Sequence, residues 1–426
     1  MQNDKEGISV LVIGAGIAGI ESSLLLANSG AKVYLVEKAS YFGGNVIKWE
    51  EVFPNMECAT CMIAPKQQEV LQSKNIELLT LSEVEAVEGS AGDFAVKLKK
   101  KARYVNLDNC IGCNECFGPC PVEVGNEFEE GLSKRKAIYI PCAGALPNAP
   151  VIDTDNCLRF KGGDCQLCRE ACAFEAIDYT QQDEQLELHV GAIVVATGFK
   201  TFDLAQVPQY GYKKLNNVYS MVEVERLCAS NGPTQGQIVL RNGEAPKSAA
   251  ILHCVGRDEK GYCSSVCCMA SIKQAHFLKN KIPELKIVQL YSDLCVPGRV
   301  YQRFYEEVKE SGVDFIRARV NEVTQKGMGV AIKYNTESGQ EDTLNVDMLI
   351  LAPALEPRAD SARLSEILAI PLDRHGFFGE KEPDLDSVDT TREGVFIAGC
   401  AQSPKDVPDT VAEAEATVGR ILALSR

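Results

Sequence analysis

Two runs of cysteine constrain this chain more than any other feature: Cys110-x2-Cys113-x2-Cys116-x3-Cys120-Pro121 and Cys157-x7-Cys165-x2-Cys168-x3-Cys172. Two-residue loops turn three thiolates toward one centre, while a fourth, three residues on, is carried past it. From Tyr104 to about Tyr179 the sequence shows little sustained periodicity, several prolines and the basic patch Lys134-Arg135-Lys136, as expected where metal rather than a core organises the fold. The segment therefore reads as an insertion. A disulfide framework would be the other use of 18 cysteines, but such scaffolds are short, and 426 residues can build cores of their own. Zinc knuckles also pair C-x2-C, yet zinc needs neither the third and fourth cysteines at these spacings nor the proline.

The spacing resembles that of the bacterial ferredoxins, residue for residue in the first run and slightly stretched in the second. On that pattern Cys110, Cys113, Cys116 and Cys172 hold one [4Fe-4S] cluster, and Cys120, Cys157, Cys165 and Cys168 the other. Ala173 follows Cys172 where ferredoxins often have proline, and Cys142 fits neither run and reads as a packed thiol.

Around the insertion the texture is α/β. An apolar run Ile8 to Ile13, a glycine turn, a helical stretch Gly16 to Ser29 and a second strand Lys32 to Glu37 make a βαβ start. Within it Gly14 permits the tight turn, Gly16 lets backbone reach a pyrophosphate, Gly19 allows close packing and Glu37 accepts from ribose hydroxyls. After the insertion, residues 187 to 198 restore the strand pattern, so the first domain is discontinuous. A second strand-helix-strand unit begins at Ser248, but its strand leads into Cys254-Val-Gly256-Arg257 and then Tyr262-Cys263-Ser-Ser-Val-Cys267-Cys268 in place of a second glycine loop. Four cysteines thus stand where nicotinamide phosphates would lie. A third cubane on Cys254, Cys263, Cys267 and Cys268, a redox thiol pair and plain packing are the three readings of them.

The glycine loop, Gly43-Gly44, Ala196-Thr197-Gly198 and the strand ending at Gly399 together resemble the two-domain flavoproteins of the glutathione and thioredoxin reductase kind. The resemblance implies FAD here, with Lys38, Val84, Asp409, Thr410 and Val411 also at the cofactor and Lys405 beside its pyrimidine edge. Cys400 stands where that family usually has Asp. With Glu57-Cys58-Ala-Thr-Cys61-Met-Ile-Ala-Pro65-Lys66, the inserted run, the Cys254 to Cys268 loop and Pro404-Lys405-Asp406-Val-Pro408-Asp409-Thr410, the whole chain resembles the flavin-carrying HdrA family of the heterodisulfide reductases, in a short, bacterial-type form. That implies a flavin accepting two electrons and relaying them singly or bifurcating them between a low-potential ferredoxin path and a thiol-disulfide path. It also implies partners: the B and C subunits of such a complex, a hydrogenase, formate dehydrogenase or flavin oxidoreductase donor, ferredoxin and a second copy of the chain. Cys58 and Cys61 are expected near the flavin, as an active disulfide or a structural pair.

The expected architecture is two dinucleotide-binding domains with an inserted two-cluster ferredoxin-like α+β domain. Residues 1–104, 181–245 and 346–426 form the FAD domain, 105–180 the insertion and 246–345 the second nucleotide fold. A net charge of -15 argues against nucleic acid. The N-terminus lacks a basic leader and no apolar run reaches membrane length, so a cytoplasmic protein is expected. No histidine pairs with a serine or carboxylate motif, which removes hydrolytic triads. The alternatives are a stand-alone NAD(P)H-dependent disulfide reductase, which would oxidise NADPH alone, and a scaffold protein, which would assemble without flavin.

Overall fold

The computed structural model describes residues 8–424. A five-stranded parallel sheet is ordered Val395–Ile397, Ala192–Val195, Ser9–Ile13, Lys32–Val36, Ile76–Leu79. Its strands are short and apolar on both sides, the mark of a parallel sheet covered on both faces. Alternate residues explain the cover: Val10 and Val12 meet Ile20, Leu24, Ile63 and Ile421 of the helices Ile17–Asn28, Ala59–Gln72 and Val407–Leu424. Leu11 and Ile13 meet Val84, Phe94, Val96 and Leu98 of an antiparallel sheet of Ser82–Ser90, Asp93–Lys100 and Glu184–Val190. The run 187–198, expected as one strand, breaks at Gly191 and serves both sheets. A Cβ there would come within 2.8 Å of Ile8 Cγ1.

The second domain is a seven-stranded sheet ordered Val218–Ser220, Met348–Pro353, Ser248–Val255, Lys286–Tyr291, Val313–Lys326, Gly329–Thr336, Glu341–Val346. Its first five strands are parallel and the last two extend it as a meander. This corrects two boundaries. The strand expected to return the chain to the FAD domain at 346 lies instead between Val218–Ser220 and Ser248–Val255, and Val218–Ser220 itself, expected in 181–245 of that domain, is here too. Both are strands buried on both faces, and such a strand carries no sign of which sheet it joins. The crossings are made by one antiparallel pair, Phe199–Thr201 with Leu355–Pro357.

Residues 105–180 contain two short hairpins, Val124–Gly125 with Lys134–Arg135 and Ile138–Tyr139 with Val151–Ile152, and one helical turn, Leu167–Glu170. A bridge between Val105 and Ile177 closes the segment. Its small core packs Val105, Ile138, Ile152 and Ile177 with Cys116 and Cys168. Two buried guanidiniums fix it to the body. Arg103 donates to Ser40 O, Thr80 Oγ1 and Ala149 O, and Arg226 of the second domain makes a double contact with Glu129 at 2.9 and 3.1 Å and donates to Lys48 O. Among the described residues no helix is long and apolar enough to cross a membrane.

Candidate functional site

The first strand ends in a loop whose glycines do three different jobs. Gly14 has φ +102° and a Cβ there would sit 2.4 Å from Ala196 O, while a Cβ on Gly19 would sit 1.8 Å from Gly14 O. Gly16 is different: a Cβ there would meet only Gly44 Cα, at 3.7 Å, so its bare face is turned to open space. The helix behind it, Ile17–Asn28, has no side-chain cap and no acid in its first turn, which leaves its N–H groups for an anion. Glu37 ties the loop from the next strand, accepting from Ala15 N at 3.0 Å and Ala39 N at 2.8 Å. Burial raises its carboxyl above the ordinary value, against the pull of those two amides.

That open space is a cleft of about 420 Å³. It runs from Gly14, Gly16, Glu37 and Gly44 past Ala196, Thr197 and Gly198 to Cys400, Lys405 and Thr410, and on to Glu225, Cys267 and Lys273 of the second domain. Thr197 Oγ1 is buried on this wall without a hydrogen-bond partner among the described residues, which suits it to a polar group of a ligand. Lys405, with 7% of its side chain exposed, donates to Gln402 Oε1 at 2.6 Å and pairs with Glu413, whose other oxygen accepts from Gly399 N at 2.8 Å. Lys273 pairs with Glu225 and donates to Glu51 O at 3.2 Å, the side chains of the pair being buried. Sequence reading missed this pair. Lys273 lies on an ordinary-looking helix 48 residues from its partner, and only its burial, visible once folded, marks it.

The insertion brings its cysteines together in two sets. Cys110, Cys113, Cys116 and Cys172 line one small cavity and Cys120, Cys157, Cys165 and Cys168 another, each about 20 Å³. Each set combines three cysteines of one run with the fourth of the other. Burial pushes the Cys116 thiol up to about 12, with the charge of Cys168 the next cause, and both residues belong to the insertion's one small core. Among the described residues no three His, Cys, Asp or Glu side chains are placed to share a single metal ion.

A third set forms at the second domain's strand end. Cys254, held at φ +60°, and Cys268 both direct their sulfurs at Asp293 O, 3.8 and 3.7 Å away. The neighbouring thiols of Cys267 and Cys268 act on each other, which holds Cys268 low and Cys267 high, and the charges of Cys254 and Cys263 add to the effect on Cys267. The Cys295 thiol is raised by burial and then by the charges of Cys263 and Cys268, which puts it in the neighbourhood of this set. Cys267 lines the cleft as well, so it touches both sites.

Several expected contacts fall elsewhere. Lys38 points outward, to Asp360 at 2.9 Å and Glu83 at 3.2 Å. Val84 is buried in the core beneath the antiparallel sheet. Of Asp409, Thr410 and Val411 only Thr410 lines the cleft, since the final helix starts at Val407 and turns Asp409 to solvent. Gly43 and Gly399 shape turns just behind the wall. Cys58 and Cys61 form a disulfide at the start of the helix Ala59–Gln72, with Cys61 exposed and neither lining the cleft. Asn45, Val46 and Lys48 line the cleft there, and the pair reaches its edge through the hairpin of Glu51–Val52 and Glu57–Cys58, in which Glu51 faces Cys58 and Val52 is a lining residue.

Residues 12–69 match the family model of the NAD(P)-binding Rossmann-like domain. The chain is 39% identical over 418 residues to the A subunit of the H2:CoB-CoM heterodisulfide,ferredoxin reductase of Methanothermobacter thermautotrophicus, covering 96% of this chain and 63% of that one. It is 40% identical over 423 residues to the iron-sulfur A subunit of the CoB-CoM heterodisulfide reductase of Methanocaldococcus jannaschii, covering 97% and 64%. The chain thus spans just under two thirds of the length of these relatives. In three dimensions it is similar to the thioredoxin reductase of T. acidophilum, with TM-score 0.53 and 14% identity over 99% of both chains, which shows the fold.

Proposed function

The chain belongs to the HdrA family of heterodisulfide reductase components, a family of oxidoreductases, and on that footing we propose that it is an electron-transfer protein that binds FAD in the long cleft and [4Fe-4S] clusters in its three cysteine sets. The observation that carries this reading is Cys267, which faces the dinucleotide cleft on one side and the third thiol set on the other. When bound, FAD supplies a two-electron acceptor able to release its electrons singly. The residues fit it: the Gly14 to Gly19 loop and helix N-terminus suit the pyrophosphate, Glu37 the ribose, and Thr197 has an unused hydroxyl.

What the chain itself contributes is order and exclusion. Lys405 and Lys273 bring buried cations to the cleft wall, each neutralised by a carboxylate, so each can orient a polar ring edge without an uncompensated charge. The thiol sets extend the path away from the cleft, and Arg103 and Arg226 hold the insertion in register with it. The B and C subunits of a heterodisulfide-reductase-like complex and a ferredoxin or hydrogenase-type donor are the partners this reading requires.

The test is an anaerobic preparation counted for flavin and iron. Three clusters correspond to about twelve irons per chain, and two to about eight. Cys267→Ser is expected to remove about four irons while leaving FAD and the two insertion signals in place. A wild type holding only about eight, with a spectroscopically identical Cys267→Ser protein, would leave the third set as redox thiols.

A further inference from the structure

The two cavities of the insertion differ in what touches their sulfurs. In one, Cys172 Sγ accepts from the backbone N–H of Ala176 at 3.3 Å. In the other, the Tyr179 hydroxyl lies 3.0 Å from Cys168 Sγ. The tyrosine ring is held from two sides, by the Arg159 guanidinium 4.4 Å above its centroid and by Phe160 edge-on at 6.2 Å. It also lines the same cavity as Cys120, Cys157, Cys165 and Cys168. Its position is therefore set by packing, with its hydroxyl against one sulfur of that set.

Between a free thiol and a hydroxyl, either group can donate. A thiolate bound to iron can only accept, which leaves Tyr179 as the donor. A hydrogen bond to a ligand sulfur favours the more negative, reduced state of the centre that sulfur holds. Resting on the reading that the insertion carries clusters, we infer that Tyr179 is a positioning residue whose hydroxyl raises the reduction potential of the centre on Cys120, Cys157, Cys165 and Cys168 and leaves that of its neighbour alone. The bond is made in both oxidation states and only its strengthening on reduction counts, so the whole worth of one hydrogen bond to a charged acceptor, about tenfold in an equilibrium, or about 59 mV for a one-electron couple, is the upper bound of the shift.

The experiment is a redox titration of the anaerobic full-length protein followed by electron paramagnetic resonance, on wild type and Tyr179→Phe, with iron counted in each. Tyr179→Phe is expected to keep its iron and to shift one insertion centre downward by up to about tenfold in that equilibrium, with the other unmoved. Replacing Tyr179 by 3,5-difluorotyrosine, a stronger donor of almost the same shape, should move the same centre upward. This second protein decides the matter if the phenylalanine variant loses iron. Two midpoints unchanged in the iron-replete variants, or a shift of both centres together, would overturn the inference. Absence of insertion clusters from wild type would overturn the cluster reading itself, and is told apart by the iron count.

Discussion

The two nucleotide-type domains begin alike and then diverge. In the first, the strand Ser9–Ile13 reaches its helix through three residues, 14 to 16. In the second, Ser248–Val255 reaches the helix Cys267–Lys281 through residues 256 to 266, with a one-turn helix Arg257–Lys260 on the way. The short loop leaves a helix N-terminus bare for an anion. The long one places Cys267 and Cys268 in the first helical turn, where of the two only Cys268 is held low. The acids after the next strand diverge in the same way. Glu37 accepts from Ala15 N of the glycine loop and from Ala39 N beside itself, whereas Asp293 sends its carboxylate to Arg257 at 2.6 Å and Arg317 at 3.2 Å and offers only its carbonyl to the thiols. One scaffold thus serves phosphate or sulfur according to the length of one turn and the direction of one acid.

The strongest way to break this contrast is at the glycines. Gly16→Val fits the fold, since its first added atom has 3.7 Å of room, yet it fills the face that a pyrophosphate would approach. The variant is expected to fold and to lose essentially all of its FAD, measured by absorbance after gel filtration. A folded variant with a full complement would show that the loop is not the cofactor site. Gly256→Val is the matching change in the second domain. There φ is +89° and a Cβ would lie 2.6 Å from the Phe202 ring, so the cost falls on packing and backbone, about 2 to 4 kcal/mol. Chemical denaturation should report that loss, with FAD stoichiometry intact in the folded fraction.

How far the sequence speaks differs between the site's parts, for physical reasons. The insertion's two thiol sets were legible because the loops that aim them are two or three residues long and because their fourth members exchange by a known pattern. The glycine loop was legible because Gly14 and Gly19 answer to backbone clashes that no other residue relieves. Lys273 with Glu225 and Arg226 with Glu129 were not, being 48 and 97 residues apart and joined only by folding. The disulfide at Cys58 and Cys61 was visible as a motif but its setting was not, because the hairpin that joins it to the cleft-lining Val52 consists of two-residue strands with no periodicity to read.

The smallest and most discriminating effects belong to the two acids. Glu37→Gln should weaken FAD binding about 10- to 100-fold, the worth of a hydrogen bond to a charged acceptor, whereas Asp293→Asn should leave FAD affinity unchanged in the same titration. Their pH signatures also run in opposite directions. Glu37 is raised above 4.5 by burial, so folding favours its protonated form, and the stability it contributes is present below pH 4.5 and lost as pH rises through the raised value. Asp293 is lowered below 3.8 by the hydrogen bond from Arg257 and then by its charge, so its contribution is present above pH 3.8 and lost only as pH falls through the lowered value. Flavin-free protein melted across this range should show Glu37→Gln flattening the loss on the alkaline side of pH 4.5. Asp293→Asn, whose pairs are exposed and screened, should change the acid limb slightly and the neutral region not at all. If Asp293→Asn instead lowered FAD affinity as Glu37→Gln does, the second domain would still be reading a nucleotide, and the division between phosphate and sulfur would fail.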